Sequence, residues 1–208
     1  MTRWHRSSCV NPDVVFDEKR DAPRCQACDA QCDLKRLVSA QPKSPALVIP
    51  PNEPSGQLNL RWPPSIFPPS TGSTFESPPN PPTNRKSDGT GATSVVYDER
   101  LGPNEFRLAC FSAADNAGAP VHFSLETYHR DNCPEYETVS HTWGGEDDDY
   151  TLCRPAFVGP HWDVLFQSRN CWEMLRFIRP RREILLVWVD AVCINQNDVK
   201  ERGEQVTT

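Results

Sequence analysis

What this sequence lacks narrows it considerably. It contains no stretch of ~18 apolar residues of the kind a membrane-spanning helix needs. The start, Met1-Thr2-Arg3-Trp4-His5-Arg6, has no apolar core of the sort that marks a secretory signal. No Asn-x-Ser/Thr sequon occurs, and neither a Gly-x-Gly-x-x-Gly nor a Walker-type phosphate loop is present. The second half also lacks a nucleophile elbow and a paired-histidine metal motif. Lysine and arginine total 22 against 28 aspartates and glutamates, a net charge of −6 that excludes a general nucleic-acid or acidic-membrane surface. Apolar residues make up only 37% of the 208, enough for one modest core. These absences predict a soluble, cytosolic protein whose partners are other proteins or copies of itself.

Nine cysteines stand out against that background. An odd count with no signal and no sequon favours reduced thiols or metal ligands over a disulfide framework. Cys25-x-x-Cys28 has the hairpin spacing of a zinc knuckle, Cys32 follows closely, and Cys9 with His5 lies far enough upstream to close a tetrahedral site. Cys9, Cys25, Cys28 and Cys32 would make an all-thiolate zinc site in which His5 could replace one thiolate. The competing reading is a flexible tail with incidental cysteines. A structural zinc would explain how a short segment with few hydrophobic residues folds.

The composition divides the chain into residues 1–35, rich in cysteine; 36–94, rich in proline; 95–135, a β-strand lead-in; and 136–208. Thirteen of the 21 prolines fall between Pro42 and Pro82, so this stretch reads as a polyproline-leaning linker without a fixed fold. Further on, Phe106–Phe111 and Val121–Leu125 read as strands joined by a loop at Asp115-Asn116-Ala117-Gly118. A third strand is expected over Tyr136–Thr142, and a hairpin of Tyr150–Cys153 with Val164–Gln167 around Gly159-Pro160. Asn170-x-x-Glu173 is a capping-box variant opening a helix whose Cys171, Met174, Leu175 and Ile178 share a face before Pro180. Ile184–Val189 reads as a strand buried on both faces, and Asp198-x-x-Glu201 opens a second helix. Strand, helix, strand, helix implies α/β layering with a parallel pair. An arginine cluster at Arg179, Arg181 and Arg182 reads as a solvated helix end.

Asp190 sits at the carboxyl end of the last strand, where ligand sites assemble in open α/β sheets. It could orient a ribose or a partner side chain, or simply cap the next turn, a task that also suits Asn195, Gln196 and Asn197. Glu201 either favours its own helix N-terminus or serves a site, and the adjacent Arg202 makes either a salt bridge or a substrate contact. Cys193 is either reactive or, as a small apolar thiol, packed below the loop. Ser140 and His141, adjacent on a strand, point to opposite faces and make a poor nucleophile–base pair. Trp143-Gly144-Gly145 reads as a buried aromatic followed by a turn.

Two blocks carry a family resemblance. Tyr136 through Ser140-His141-Thr142-Trp143-Gly144, and Trp188-Val189-Asp190-Ala191-Val192-Cys193-Ile194-Asn195-Gln196 followed by Glu201-Arg202 and Gln205-Val206, resemble the fungal heterokaryon-incompatibility (HET) domain. His141 stands where that family usually has tyrosine. The resemblance implies a flavodoxin-like, TIR-related α/β sheet with flanking helices, acting in non-self recognition and programmed cell death. It also implies a pocket drawn from Ser140, Trp143, Gly144, Trp188, Asp190, Cys193, Asn195, Gln196, Glu201, Arg202 and Gln205. The family's domain ordinarily runs further, and the TIR-type catalytic glutamate is expected after a further strand. The chain therefore reads as the first half of such a domain, a signalling or interaction module without catalysis. Half a sheet would leave an unpaired edge and an uncovered apolar face near Val187 and Trp188.

Overall fold

A computed structural model describes residues 1–41, 97, 100–114, 116, 118–141 and 151–206. Of the segment 36–94 read as a linker, residues 42–94 lie outside the described residues, as does Trp143-Gly144-Gly145, whereas residues 36–39 are helical and so belong with the cysteine-rich segment before them. The chain opens with a small hairpin, β1 (Val14–Asp17) and β2 (Ala22–Cys25), followed by a short helix, α1 (Leu34–Ser39). Asp33 caps that helix by accepting from the Arg36 N–H at 3.0 Å. The main body contains β3 (Glu105–Ser112), β4 (His122–His129), β5 (Glu137–Thr138), β6 (Arg154–Val158), β7 (Asp163–Gln167), α2 (Arg169–Ile178), β8 (Ile184–Trp188), the single turn α3 (Asp190–Cys193) and α4 (Val199–Val206).

The six strands from β3 onward form a mixed sheet in the order β5-β8-β3-β4-β6-β7. Parallel pairing occurs at β5–β8 and β4–β6, while β8–β3, β3–β4 and β6–β7 are antiparallel. The strands flanking α2, β7 and β8, which were expected to pair in parallel, are not neighbours, because β3, β4 and β6 lie between them. Alternation decides which residues face the core. Ala109 and Phe111 of β3 meet Phe123 of β4, Ala156 and Val158 of β6 and Val187 of β8 in one cluster. The rings of Phe111 and Phe123 lie 5.0 Å apart. Helix α2 covers this face with Cys171 and Leu175, and its Trp172 indole donates to the Pro155 carbonyl at 2.8 Å.

Several elements differ from their sequence expectation for identifiable reasons. The third strand shrinks to Glu137–Thr138, extended by a Val139 N–H to Trp188 carbonyl bond of 3.0 Å. Its partner β8 turns into α3 at Asp190, which ends the strand ladder before Ser140. The strand expected at Tyr150–Cys153 starts instead at Arg154, because pairing outward from the turn matches Val158 with Asp163 and Arg154 with Gln167. Ser168, not Asn170, caps α2, accepting from the Cys171 N–H at 3.4 Å. β8 is buried on both faces only toward its end. Ile184 remains 68% exposed, since β5 reaches only Val187 and Trp188. At the edge anticipated near Val187 and Trp188, Val187 is paired with both β3 and β5 and fully buried, and Trp188 is paired with β5.

Residues 1–40 belong to the same compact unit as the described residues from Tyr97 onward. Cys32, Phe157, Val164 and Phe166 form a second cluster, with Trp4, Leu34, Leu37 and Trp162 against it. Phe111→Ala empties the centre of the main core and is expected to cost ~3–5 kcal/mol in chemical denaturation. Phe177→Ala, at an 89% exposed position, is expected to change stability by no more than ~0.5 kcal/mol.

Candidate functional site

The residues singled out around Asp190 and Gln205 do come together, in a corner where the chain leaves β8. The Asp190 carboxylate accepts from the Ala191 N–H at 2.7 Å, but Asp190 is the first residue of the turn α3, whose cap position is held by Val189 without a side-chain bond, so the capping expected of Asp190 is not what it does. The Gln196 amide donates back to the Asp190 carbonyl at 2.8 Å. Asn195 uses its side-chain oxygen to accept from the Asn197 N–H at 3.2 Å. Asp198 caps α4 by accepting from the N–H groups of Lys200 at 2.9 Å and Glu201 at 3.1 Å. These bonds, led by the one from Glu201, hold its carboxyl below the ordinary aspartate range. Being depressed, it contributes stability that is present above the unfolded value and lost as pH falls through the lowered one.

Glu201 does not pair with Arg202, which is exposed. Its carboxylate instead accepts from Arg107 of β3 at 2.6 Å and from the Asn195 N–H at 2.8 Å, with both charged side chains almost fully buried. Arg107 also lies 3.5 Å from the Cys193 carbonyl and under the ring of Tyr97, 5.1 Å from its centroid. Tyr97 donates its hydroxyl to the Val192 carbonyl at 2.6 Å, and burial pushes its own ionisation far up. Gln205 adds a 2.8 Å bond from its amide to the Glu105 carbonyl. Helix α4 is thus fastened to β3 at two points.

Neither Arg107 nor Tyr97 stood out in the sequence. A single arginine between Phe106 and Leu108, inside a strand, was the only available hint. Cys193 is packed rather than reactive. Burial pushes its thiol to about 12, and it sits between the Val189 N–H at 3.4 Å and the Val187 carbonyl at 3.7 Å. Ser140 is exposed, whereas the His141 side chain is buried with Nδ1 3.7 Å from the Asp190 carboxylate. That contact becomes an ion pair when the imidazole is protonated. Trp188 lines a shallow cavity of about 340 Å³ with Phe106, Arg130, Tyr136 and Gln205.

A separate cluster forms at the amino terminus. One donor atom from each of His5, Cys9, Cys25 and Cys28 lies within 4.8 Å of the others. Cys32 is not among them. It follows β2 and points into the apolar cluster with Phe157, where burial pushes its thiol to about 12. The His5 Nε2 lies 2.6 Å from the His161 carbonyl oxygen. A carbonyl only accepts, so Nε2 carries the proton and Nδ1 presents a lone pair to the sulfurs.

The Cys28 sulfur is 3.6 Å from that Nδ1, and the sulfurs of Cys9 and Cys25 are 3.9 Å apart. A tetrahedron with Zn–S bonds of ~2.3 Å and a Zn–N bond of ~2.1 Å has edges of about 3.8 Å for S···S and about 3.6 Å for S···N. Burial raises the Cys28 thiol, but the backbone N–H groups of Arg6 and Ala30, with His5 and Cys25, outweigh it and bring the thiol to about 6. Burial and the neighbouring thiols raise Cys9 to about 11. This donor set could bind a metal ion.

Glu201→Ala leaves Arg107 buried without its carboxylate and is expected to cost ~3–5 kcal/mol, while Arg202→Ala changes stability by no more than ~0.5 kcal/mol. Urea titrations of both variants check which arginine the glutamate depends on.

No curated protein and no solved structure matches the chain. Residues 136–208, the segment containing β5 to α4, match the family model described as heterokaryon incompatibility protein (HET), so that this part of the chain is similar to a HET domain.

Proposed function

We propose that this chain acts in fungal heterokaryon incompatibility as a signalling and interaction protein of non-self recognition, without catalysis of its own. One observation carries the absence of catalysis. Among the described residues of the HET segment, Asp190, Gln196, Glu201 and Gln205 direct polar atoms at its own backbone and at β3. A catalytic corner needs polar groups held toward a substrate, whereas these hold a helix and a turn in place. On this reading the segment is a TIR-like scaffold for association in the cytosol through protein partners or self-association, a reading with which the parallel β5–β8 pair is compatible.

A second reading, a zinc-bearing adaptor with the HET segment as its platform, is favoured by the His5, Cys9, Cys25 and Cys28 cluster. Zinc suits a tetrahedral set of three thiolates and one imidazole, and four protein donors leave no open position for chemistry.

Two assays test the leading reading. The purified full chain incubated with NAD is expected to leave it intact, and expression of the chain in a fungal host is expected to arrest growth. Turnover of NAD, abolished by Asp190→Ala in a variant that still folds, would overturn the non-catalytic assignment. Normal growth at high expression, in any partner background, would remove the incompatibility role.

A further inference from the structure

We infer that the metal centre at His5, Cys9, Cys25 and Cys28 is a fastener: its ion locks the first five residues onto β7 as an extra edge strand of the sheet. The inference rests on zinc as the ion of the second reading. It starts from a register that the sequence does not display. Thr2 pairs with Val164 in an antiparallel bridge, through its N–H to the Val164 carbonyl at 2.8 Å and the Val164 N–H to its carbonyl at 2.9 Å. The Arg3 guanidinium donates two bonds to the buried Asp163 carboxylate, at 3.1 and 3.0 Å. The Trp4 indole donates to the Trp162 carbonyl at 2.8 Å, and His5 Nε2 to the His161 carbonyl at 2.6 Å. Residues 2, 3, 4 and 5 thus meet 164, 163, 162 and 161 in antiparallel order.

The surface receiving this strap is itself fixed. His122 stacks on Trp162 with ring centroids 4.4 Å apart, and its Nε2 lies 3.0 Å from the Gly159 carbonyl at the same turn. β7 ends the sheet, and its outer edge would otherwise offer hydrogen bonds to a foreign strand. The strap is short, and by itself a stretch of four residues with a single backbone bridge would fray.

His5 is where the strap is tied. Its ring spans the two structures, with Nε2 donating to the His161 carbonyl and Nδ1 facing the three sulfurs. An ion bound at Nδ1 holds the tautomer in which Nε2 is the donor and strengthens that donor. The same ion ties the strap to Cys9 in the following turn and to Cys25 and Cys28 at the end of the β1–β2 hairpin. Loss of the ion would free His5 to take the other tautomer, and a bare nitrogen lone pair facing the carbonyl would then open the strap.

The Val164 amide reports on this directly. Phe157, its partner across β6–β7, sends its own N–H to the Val121 carbonyl at 2.8 Å, so the Val164 N–H is left to Thr2 alone. Native mass spectrometry of the full chain is expected to show one bound zinc. Chelation is expected to speed hydrogen exchange at Thr2 and Val164 at least about tenfold, reversed by adding Zn²⁺, while Ala109 and Val187 in the sheet centre stay protected. His5→Cys separates the parts: four thiolates keep the zinc but sever the link to His161, so the same two amides should exchange faster in the zinc-loaded variant. Zinc bound with Val164 equally protected after chelation, and in His5→Cys, would overturn the fastener and leave the zinc reading standing. Failure to bind added Zn²⁺ would overturn both. Should chelation unfold the whole chain, the zinc-loaded His5→Cys exchange decides between them.

Discussion

The buried pair of Arg107 and Glu201 is the constraint on which the HET segment's corner depends. Removing two charges from water is costly, and the gain from pairing them offsets that cost only if their remaining hydrogen-bonding capacity is used. Here it is used. Glu201 also accepts from the Asn195 N–H, and the guanidinium is covered by the Tyr97 ring. The arrangement therefore requires the loop after α3, the helix α4 and the strand β3 to be in place at once. A bond across 94 positions of sequence makes the last helix conditional on the first strand of the sheet.

The sheet serves different ends at its two edges. At the β5–β8 side it ends in the Asp190 corner, where motif residues hold one another. At the β7 side it receives the cysteine-rich amino terminus, which packs Trp4, Leu34 and Leu37 against Phe157, Val164 and Phe166. That apolar contact gives a segment with few hydrophobic residues a surface on which to fold. Cysteine chemistry follows the same geography. Cys32, Cys171 and Cys193, buried among apolar neighbours, have thiols pushed to about 12, whereas Cys28 lies among backbone donors and is brought to about 6. Residue type is the same in each case, and the environment determines whether the sulfur fills space or offers a charge.

Much of the α/β character was legible from periodicity. The strand at Phe106–Phe111, the helix carrying Cys171 and Leu175, and the turn at Gly159 depend on local alternation and local turn chemistry, which a linear reading detects. The length of the strand after Tyr136 was not legible, because it is set by where β8 turns away. The same applies to the cap of α2. Asn170 and Ser168 are both competent caps, and the end of β7 at Gln167 brings Ser168 into use.

By itself the sequence determined the composition of each segment, the HET-type block from Trp188 to Gln205 and the donors near the amino terminus, since these are matters of residue type and short spacing. Only the tertiary structure decided that Glu201 answers to Arg107 and not to its neighbour Arg202. It also decided that His5 joins Cys9, Cys25 and Cys28 while Cys32 turns to the core, and that residues 2 to 5 meet Val164 to His161. Each of these is a contact between residues far apart in the chain, and spacing along a sequence carries no information about which distant surface a side chain will meet.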